Sequence, residues 1–190
     1  KQINRKTMNR EEKKVVIEKT KEGFKVYENK VGVMTNAPSF DWHITNLRQY
    51  MNATPVQPTS ANWSDLELTP LGSATGGIGL PGDFSSPSRF VRVAFLRAQI
   101  LMEDIENDGI IEFFHILNNV AMVKGSVITK DGKDEITQYS SCMNLEKGLY
   151  YYKSYNNNQI NMLDMHKEDL DGSEMKIFPY NDVQVVNLLN

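Results

Sequence analysis

The order of the periodic segments is the sequence feature that most restricts the fold. Residues 15–36 alternate apolar and polar side chains, as β-strands do, and the alternation returns from Gly125 onward. Between these two blocks, apolar residues recur at three- and four-residue spacing, as they do on one face of a helix. A chain that runs from strands to helices and back to strands predicts an α+β fold, with helices packed on a largely antiparallel sheet.

The first block predicts a hairpin followed by a helix. VVIEKT and GFKVYEN flank a Lys-Glu-Gly turn, and a third strand is expected at VGVMTN. Four apolar side chains of the hairpin are expected to share one face: Val15, Ile17, Phe24 and Val26. Pro38 ends the third strand, and Ser39 can cap a helix over residues 40–51. The apolar stripe of that helix has four members: Phe40, Ile44, Leu47 and Met51.

Two more helices and a meander are predicted downstream. Ser86 as N-cap and Pro87 in the first turn begin a helix that runs to about residue 105, and another covers residues 110–122. The first is expected to bury six side chains: Phe90, Val93, Ala94, Ala98, Leu101 and Ile105. The second is expected to bury four: Phe113, Ile116, Leu117 and Val120. The runs GSVITK, EITQYSSCMN, LYYYKSYN and QINMLDM then predict a four-stranded antiparallel meander, to which residues 174–190 could add one strand.

Composition excludes several classes of protein. The chain has 190 residues and a mass of 21.7 kDa, enough for one domain of ordinary size. No stretch approaches the ~18 apolar residues that a membrane helix requires, and the amino terminus lacks the apolar segment of a secretory signal. The single cysteine, Cys142, excludes an intrachain disulfide and agrees with a reducing compartment. We therefore expect a cytoplasmic protein without a membrane partner.

The amino terminus is more basic than the rest of the chain. Residues 1–14 contain six lysines and arginines against two glutamates, whereas the whole chain has a net charge of −3. This segment is interpreted as a flexible, solvated tail that precedes a single α+β domain over residues 15–190. A basic arm that contacts nucleic acid or a membrane surface is the alternative, although the overall charge predicts no nucleic-acid partner.

The glycine-rich segment in residues 53–86 does not predict a nucleotide site. GIGLPG at residues 77–82 fits the letters of a dinucleotide-binding loop, but it contains a proline and the next helix begins only at about residue 86. No Gly-Lys-Ser or Gly-Lys-Thr follows, which also excludes a phosphate loop of that kind. We expect no cofactor, and we interpret these glycines as a tight loop whose backbone closely approaches another element.

Histidines and the cysteine offer no evident catalytic or metal centre. His43, His115 and His166 lie far apart without paired ligand spacing, so we expect surface or core positions and no bound metal. Cys142 lies in a strand-like run without a nearby histidine. It is therefore interpreted as a buried structural thiol and not as a nucleophile.

Two polar residues stand out from their surroundings. Asn36 ends a predicted strand directly before Ala37-Pro38, where a side chain can face a cleft. Arg89 lies in the first turn of a predicted helix, where the macrodipole disfavours a cation by ~0.3–1 kcal/mol and an anionic partner would compensate. A turn-stabilising asparagine and a surface arginine are the alternatives.

Three segments carry a resemblance to a known family. GVMTNAPSFDWHITNLRQYMN, LTPLGSATGGIGLPGDFSSPSRFVRVAF and QYSSCMN with LYYYKSYNNNQI resemble the choloylglycine hydrolase family, in the right order and at matching separations. That family contains the conjugated bile salt hydrolases and the penicillin V acylases. WHITNLRQY and TPLGSATGGIGLPGDF look more like the penicillin V acylase branch.

The resemblance implies a fold and a mechanism. The fold would be the αββα sandwich of the N-terminal nucleophile hydrolases, and the reaction would cleave a linear amide with an amino-terminal cysteine. Asn36 corresponds to the asparagine that stabilises the oxyanion, and Arg89 to the arginine beside the nucleophile. The family's nucleophilic cysteine lies upstream of the resembling segments, so we expect this chain alone to be inactive.

Partners also follow from the resemblance. The family implies a small-molecule amide substrate such as penicillin V or a conjugated bile salt, an upstream half of the domain, and a homotetramer or another homo-oligomer. A non-catalytic binding or assembly module of the same fold is the alternative, because half of a sandwich leaves an apolar face uncovered.

Overall fold

The computed structural model describes residues 5–8, 14–101 and 108–190, with strand geometry alone for residues 5–8. The chain divides into two compact units, residues 1–101 and 102–190. The predicted domain over residues 15–190 therefore falls into two compact units. Both contain helices and antiparallel strands, in agreement with the expected α+β class.

The first unit has a three-stranded antiparallel sheet in the order β1-β2-β3. Its strands are β1 (Arg5–Met8), β2 (Lys14–Thr20) and β3 (Gly23–Glu28). The β2–β3 hairpin is confirmed. The pairing of β1 with β2 lies within residues 1–14, the segment predicted to be a basic tail.

The hairpin has one face in the core and one apolar face outside it. The register places Ile17 opposite Val26, so the four apolar side chains do share a face as predicted. However, Phe24 is 74% exposed and Val26 65% exposed, whereas Val16 on the opposite face is fully buried. The predicted face therefore lies outside the core of this unit.

The third strand predicted at residues 31–36 is not formed. The side chain of Asn29 accepts from the backbone N–H of Gly32 at 2.7 Å and donates to the carbonyl of Val33 at 3.0 Å. Gly32 also adopts a left-handed conformation with φ +69°. These local bonds occupy backbone groups that a ladder would use, so the segment runs as an irregular loop toward Asn36.

Helices cover the buried face of the hairpin. α1 (Phe40–Asn46) begins where predicted and continues as a 3-10 turn over Leu47–Tyr50. The backbone N–H of Phe40 donates to both carboxylate oxygens of Glu18 at 3.0 and 3.1 Å, which ties the start of α1 to β2. Ile44 and Leu47 pack on the core as predicted, but Met51 is 77% exposed because the regular helix ends before it.

The next helix, α2 (Ser86–Gln99), completes the core of this unit. Ser85 and not Ser86 is its N-cap, and Pro87 lies in the first turn. The core cluster has five buried members: Val16, Val33, Phe40, Phe90 and Ala94. Val93 packs against this cluster and Val91 is buried, but Ala98 and Leu101 are exposed because they lie at or beyond the last turn. The predicted contact of Ile105 lies outside the described residues.

The glycine-rich loop makes the close backbone approach that was predicted. It contains a short hairpin of β4 (Ala61–Trp63) and β5 (Leu66–Leu68), and a 3-10 turn over Thr75–Gly77. The backbone N–H of Thr54 donates to the carbonyl of Gly76 at 3.1 Å. A Cβ at Gly76 would lie 2.2 Å from the carbonyl oxygen of Val56 and 2.6 Å from that of Thr54. Only a glycine leaves room for this backbone contact.

Gly76→Ala is accordingly expected to destabilise the protein by about 1–3 kcal/mol, since two backbone carbonyls must move to admit the methyl group. Urea denaturation monitored by circular dichroism measures the change. The matched control is Gly82→Ala, whose Cβ would meet no atom within 4 Å. Equal losses for the two variants would contradict this steric account.

Over residues 108–190, the second unit combines an α-helix, a three-stranded meander and a 3-10 turn over Met165–Lys167. α3 (Asp108–Asn118) buries Phe114, whereas Phe113 is exposed. β6 (Tyr139–Asn144), β7 (Leu149–Ser154) and β8 (Asn161–Asp164) form an antiparallel sheet in that order. No helix in the described parts of the chain is long and apolar enough to cross a membrane.

The meander has three strands and not the predicted four. The GSVITK segment folds back on itself, with a single bridge between Ile128 and Asp134 across the turn at Gly132. The turn signal was correct, but the segment pairs locally and forms no named strand. Residues 174–190 likewise contain no strand, although Tyr180 stacks on Tyr152 at a ring-centroid distance of 5.9 Å.

Candidate active site

The structure brings the two predicted site residues into direct contact. Arg89 Nη2 donates a hydrogen bond to Asn36 Oδ1 at 3.0 Å, across 53 positions of sequence. Arg89 Nε also donates to the backbone carbonyl of Phe84 at 3.1 Å. The guanidinium is therefore bound to the segment before α2 and to the loop before α1. Both elements belong to the first unit.

This contact fixes the orientation of the Asn36 carboxamide. A guanidinium has donors and no acceptor, so only Oδ1 of the amide can face it. The Nδ2–H groups then point away from Arg89. Because Asn36 is exposed, those donors are accessible to a ligand oxygen. The arrangement can stabilise negative charge that develops on such an oxygen.

Asp83 fixes the start of the helix that carries Arg89. Its carboxylate accepts from Ser88 Oγ at 2.5 Å and from the backbone N–H of Ser85 at 2.8 Å. The hydrogen bonds from Ser85 and Ser88 lower the pKa of Asp83 from 3.8 to about 2. Because this pKa is lower in the folded state, the carboxylate stabilises the fold at neutral pH and loses that effect as the pH falls toward 2. Asp83 was not among the predicted site residues, although an acidic residue two positions before an N-cap serine is a usable signal.

His43 lies beneath the loop that carries Asn36. The ring is 2% exposed, and its Nε2 lies 3.2 Å from the carbonyl oxygen of Asn36 and 3.3 Å from Thr35 Oγ1. It was predicted to occupy either the surface or the core, and it occupies the core. Among the described residues, no group of three or more His, Cys, Asp or Glu side chains could hold a metal ion.

Cys142 lies in β6 of the second unit and is half-buried. Burial raises the pKa of its thiol, which favours the protonated and unreactive form at neutral pH. The thiol is thus less buried than predicted, and its interpretation as a structural thiol stays a prediction.

A carboxamide donor fixed by a guanidinium suits an enzyme that stabilises an oxyanion, as hydrolases of amide bonds do. Residues 6–178 match the family model described as linear amide C–N hydrolases, choloylglycine hydrolase family. The chain belongs to the choloylglycine hydrolase family.

Two curated relatives are bile salt hydrolase/transferases. One, from Clostridium perfringens, is 53% identical over 178 residues, which cover 94% of this chain and 54% of the relative. The other, from Lactiplantibacillus plantarum, is 44% identical over 165 residues, covering 87% of this chain and 51% of the relative. The chain thus spans about half the length of these relatives.

Solved structures agree with the family assignment. A crystal structure of a mutant conjugated bile acid hydrolase from Clostridium perfringens matches with a TM-score of 0.86 and 52% identity, covering 95% of this chain and 55% of that one. A penicillin V acylase from Agrobacterium tumefaciens matches with a TM-score of 0.60 and 22% identity, covering 82% and 43%. The second likeness shows the fold alone. The similarities therefore favour the bile salt branch over the penicillin V acylase branch that the sequence motifs suggested.

Proposed function

We propose that this chain belongs to an enzyme that hydrolyses the amide bond of conjugated bile salts, with Asn36 and Arg89 in its active site. The observation that carries the proposal is the hydrogen bond from Arg89 Nη2 to Asn36 Oδ1, which leaves the Asn36 amide donors available. The bile salt hydrolases similar to this chain support the choice of substrate. Penicillin V is the alternative substrate, favoured by the sequence motifs alone.

The proposed mechanism uses a cysteine from outside these 190 residues, as the family resemblance implies. Its thiolate attacks the acyl carbon, and the carbonyl electron pair moves to the oxygen, to which Asn36 Nδ2 donates a hydrogen bond. The α-amine of the cysteine accepts the thiol proton and passes it to the leaving nitrogen as the C–N bond breaks. Water then cleaves the thioester and releases a carboxylic acid. The positive charge of Arg89 favours the thiolate over the thiol.

The exposed apolar face of the β2–β3 hairpin supports the proposal that another part of the complete protein packs on it. Phe24 and Val26 present largely exposed apolar side chains on a sheet face that no described part of the first unit covers. In the αββα sandwich that we propose for the complete protein, a second sheet would pack on such a face. A homo-oligomeric assembly in the cytoplasm belongs to the same proposal.

The test of function compares three proteins: the product of the complete gene, the 190-residue chain alone, and a chimera. In the chimera, this chain replaces the matching segment of the Clostridium perfringens relative. Release of glycine, taurine and the penicillin V side-chain acid is measured separately. We expect the complete protein and the chimera to hydrolyse glycocholate or taurocholate, and the chain alone to show no turnover.

The outcomes separate the candidate functions. Hydrolysis of penicillin V in preference to bile salts would move the assignment to the acylase branch. Turnover by the chain alone would contradict the need for an outside nucleophile. A complete protein and a chimera that both fold but cleave no amide would favour a non-catalytic binding or assembly module, whose docking face would be the exposed hairpin.

A further inference from the structure

We propose, resting on the proposed function, that His43 is a positioning residue that holds Asn36 and the helix of Arg89 in one arrangement. His43 lies on α1, and the contacts that carry this role are with a backbone group of Asn36 and with the neighbour of Arg89 on α2. It acts through two other groups: the main-chain carbonyl of Asn36 and the ring of Phe90. This role deepens the proposed site and adds no new reaction.

The contacts of His43 close a ring of interactions around the site. Its imidazole stacks on Phe90 with a centroid distance of 4.6 Å and an interplanar angle of 13°. Phe90 is the residue after Arg89 on α2 and is completely buried. The imidazole edge meets the carbonyl oxygen of Asn36 at 3.2 Å, and the Asn36 side chain meets Arg89 at 3.0 Å. Displacement of either Asn36 or Arg89 would therefore strain the contacts that His43 makes with Asn36 and Phe90.

Hydrogen bonding assigns the proton of the ring. A carbonyl oxygen only accepts, so the bond to Asn36 requires the tautomer with its proton on Nε2, and the Thr35 hydroxyl, 3.3 Å from the same nitrogen, then accepts as well. Nδ1 is then the nitrogen with a lone pair, and it is buried without a hydrogen-bond partner. An unpartnered buried nitrogen is unfavourable, and a phenylalanine would fill the same place between the rings of Trp42 and Phe90 without it. The feature that a phenylalanine lacks is the Nε2–H donor to the Asn36 loop.

Two substitutions separate the hydrogen bond from the packing. His43→Gln keeps an N–H donor of similar reach and removes the aromatic ring. His43→Phe keeps the stacked ring and removes the donor. The matched control is His115→Phe, the same exchange at an exposed histidine on α3. Should His43→Phe fail to fold, His43→Leu replaces it, since leucine also lacks a donor.

The experiment uses the protein from the complete gene and measures kcat and KM for glycocholate hydrolysis, thermal unfolding, and hydrogen–deuterium exchange of residues 31–39. We expect His43→Phe to lower kcat about 10–100-fold with KM changed little, because the donor on Asn36 is misplaced. Exchange in residues 31–39 should become faster in this variant. His43→Gln should retain most of kcat and slow exchange even if its unfolding temperature falls.

If His43 were only structural, His43→Gln, which loses the stacked ring, would lose more kcat than His43→Phe, which keeps it. Retained kcat and unchanged exchange in His43→Phe, or a loss of kcat in His43→Gln that follows its loss of stability, would overturn the positioning role. An unsubstituted protein without hydrolysis would contradict the proposed function. In that event, hydrogen–deuterium exchange still tests the role of His43. Faster exchange in His43→Phe but not in His43→Gln supports the role, and equal exchange in the two variants overturns it.

Discussion

Asn36→Asp is expected to lower kcat for glycocholate hydrolysis by about 10²–10³-fold, the typical cost of one lost oxyanion donor. Aspartate has nearly the shape of asparagine, and its carboxylate still accepts from Arg89. The second oxygen, however, replaces Nδ2 and repels the developing negative charge instead of donating to it. Steady-state kinetics on the protein from the complete gene measures kcat and KM, and KM should change much less than kcat.

Two further variants make this expectation specific. Asn62→Asp makes the same exchange on the exposed strand β4, and it should leave kcat unchanged. Asn36→Ala removes the contact with Arg89 as well as the donor, and it should lose at least as much kcat as Asn36→Asp. Wild-type kcat in a folded Asn36→Asp protein would remove Asn36 from the proposed mechanism.

The juxtaposition of Asn36 and Arg89 shows what sequence can and cannot supply. The two residues are 53 positions apart, and no periodicity connects a loop after one strand to the start of a distant helix. Each residue was unusual locally, but the alternatives of a turn asparagine and a surface arginine stayed open. Only the resemblance to a known family predicted that they act together, because a family pattern carries tertiary information that local spacing lacks.

Local sequence signals predicted where strands, helices and turns form better than they predicted which face of an element is buried. The hairpin, the start of α1 and the glycine approach at Gly76 each depend on neighbouring residues, and all three are confirmed. The buried side of the hairpin could not be predicted. Val15, Val16 and Ile17 are all apolar, so alternation identifies two faces without saying which of them meets the helices.

Polar contacts between elements were the hardest features to predict. Asn29 bonds the backbone of its own loop and prevents a third strand, and Glu18 binds the first N–H of α1 from a neighbouring strand. His43 similarly connects a helix to a loop carbonyl. In each case the side chain satisfies a backbone group that secondary structure leaves open. Such bonds follow from the packed fold, and residue spacing does not encode them.

Arg89→Gln is expected to lower kcat/KM at neutral pH by about 10–100-fold, because it removes the positive charge beside the thiol nucleophile of the proposed mechanism. A neighbouring cation favours a thiolate, and one unit of thiol pKa corresponds to about a tenfold change in its ionised fraction below that pKa. Removing the charge raises the thiol pKa, so the rising limb of the kcat/KM profile should move to higher pH. Alkaline buffer should therefore restore part of the lost activity. The profile is measured between pH 5 and 10 in both proteins.

Arg89→Lys and Arg48→Gln complete this test. Lysine retains a positive charge, so the pH limb should stay close to that of the wild type. Its single nitrogen cannot reproduce the separate bonds from Nε to Phe84 and from Nη2 to Asn36, so kcat should still fall. Arg48 is exposed on the 3-10 turn after α1, and its glutamine variant controls for net charge. A pH limb that stays in place in Arg89→Gln would show that Arg89 acts only by holding Asn36, because loss of that contact lowers kcat without changing the thiol pKa.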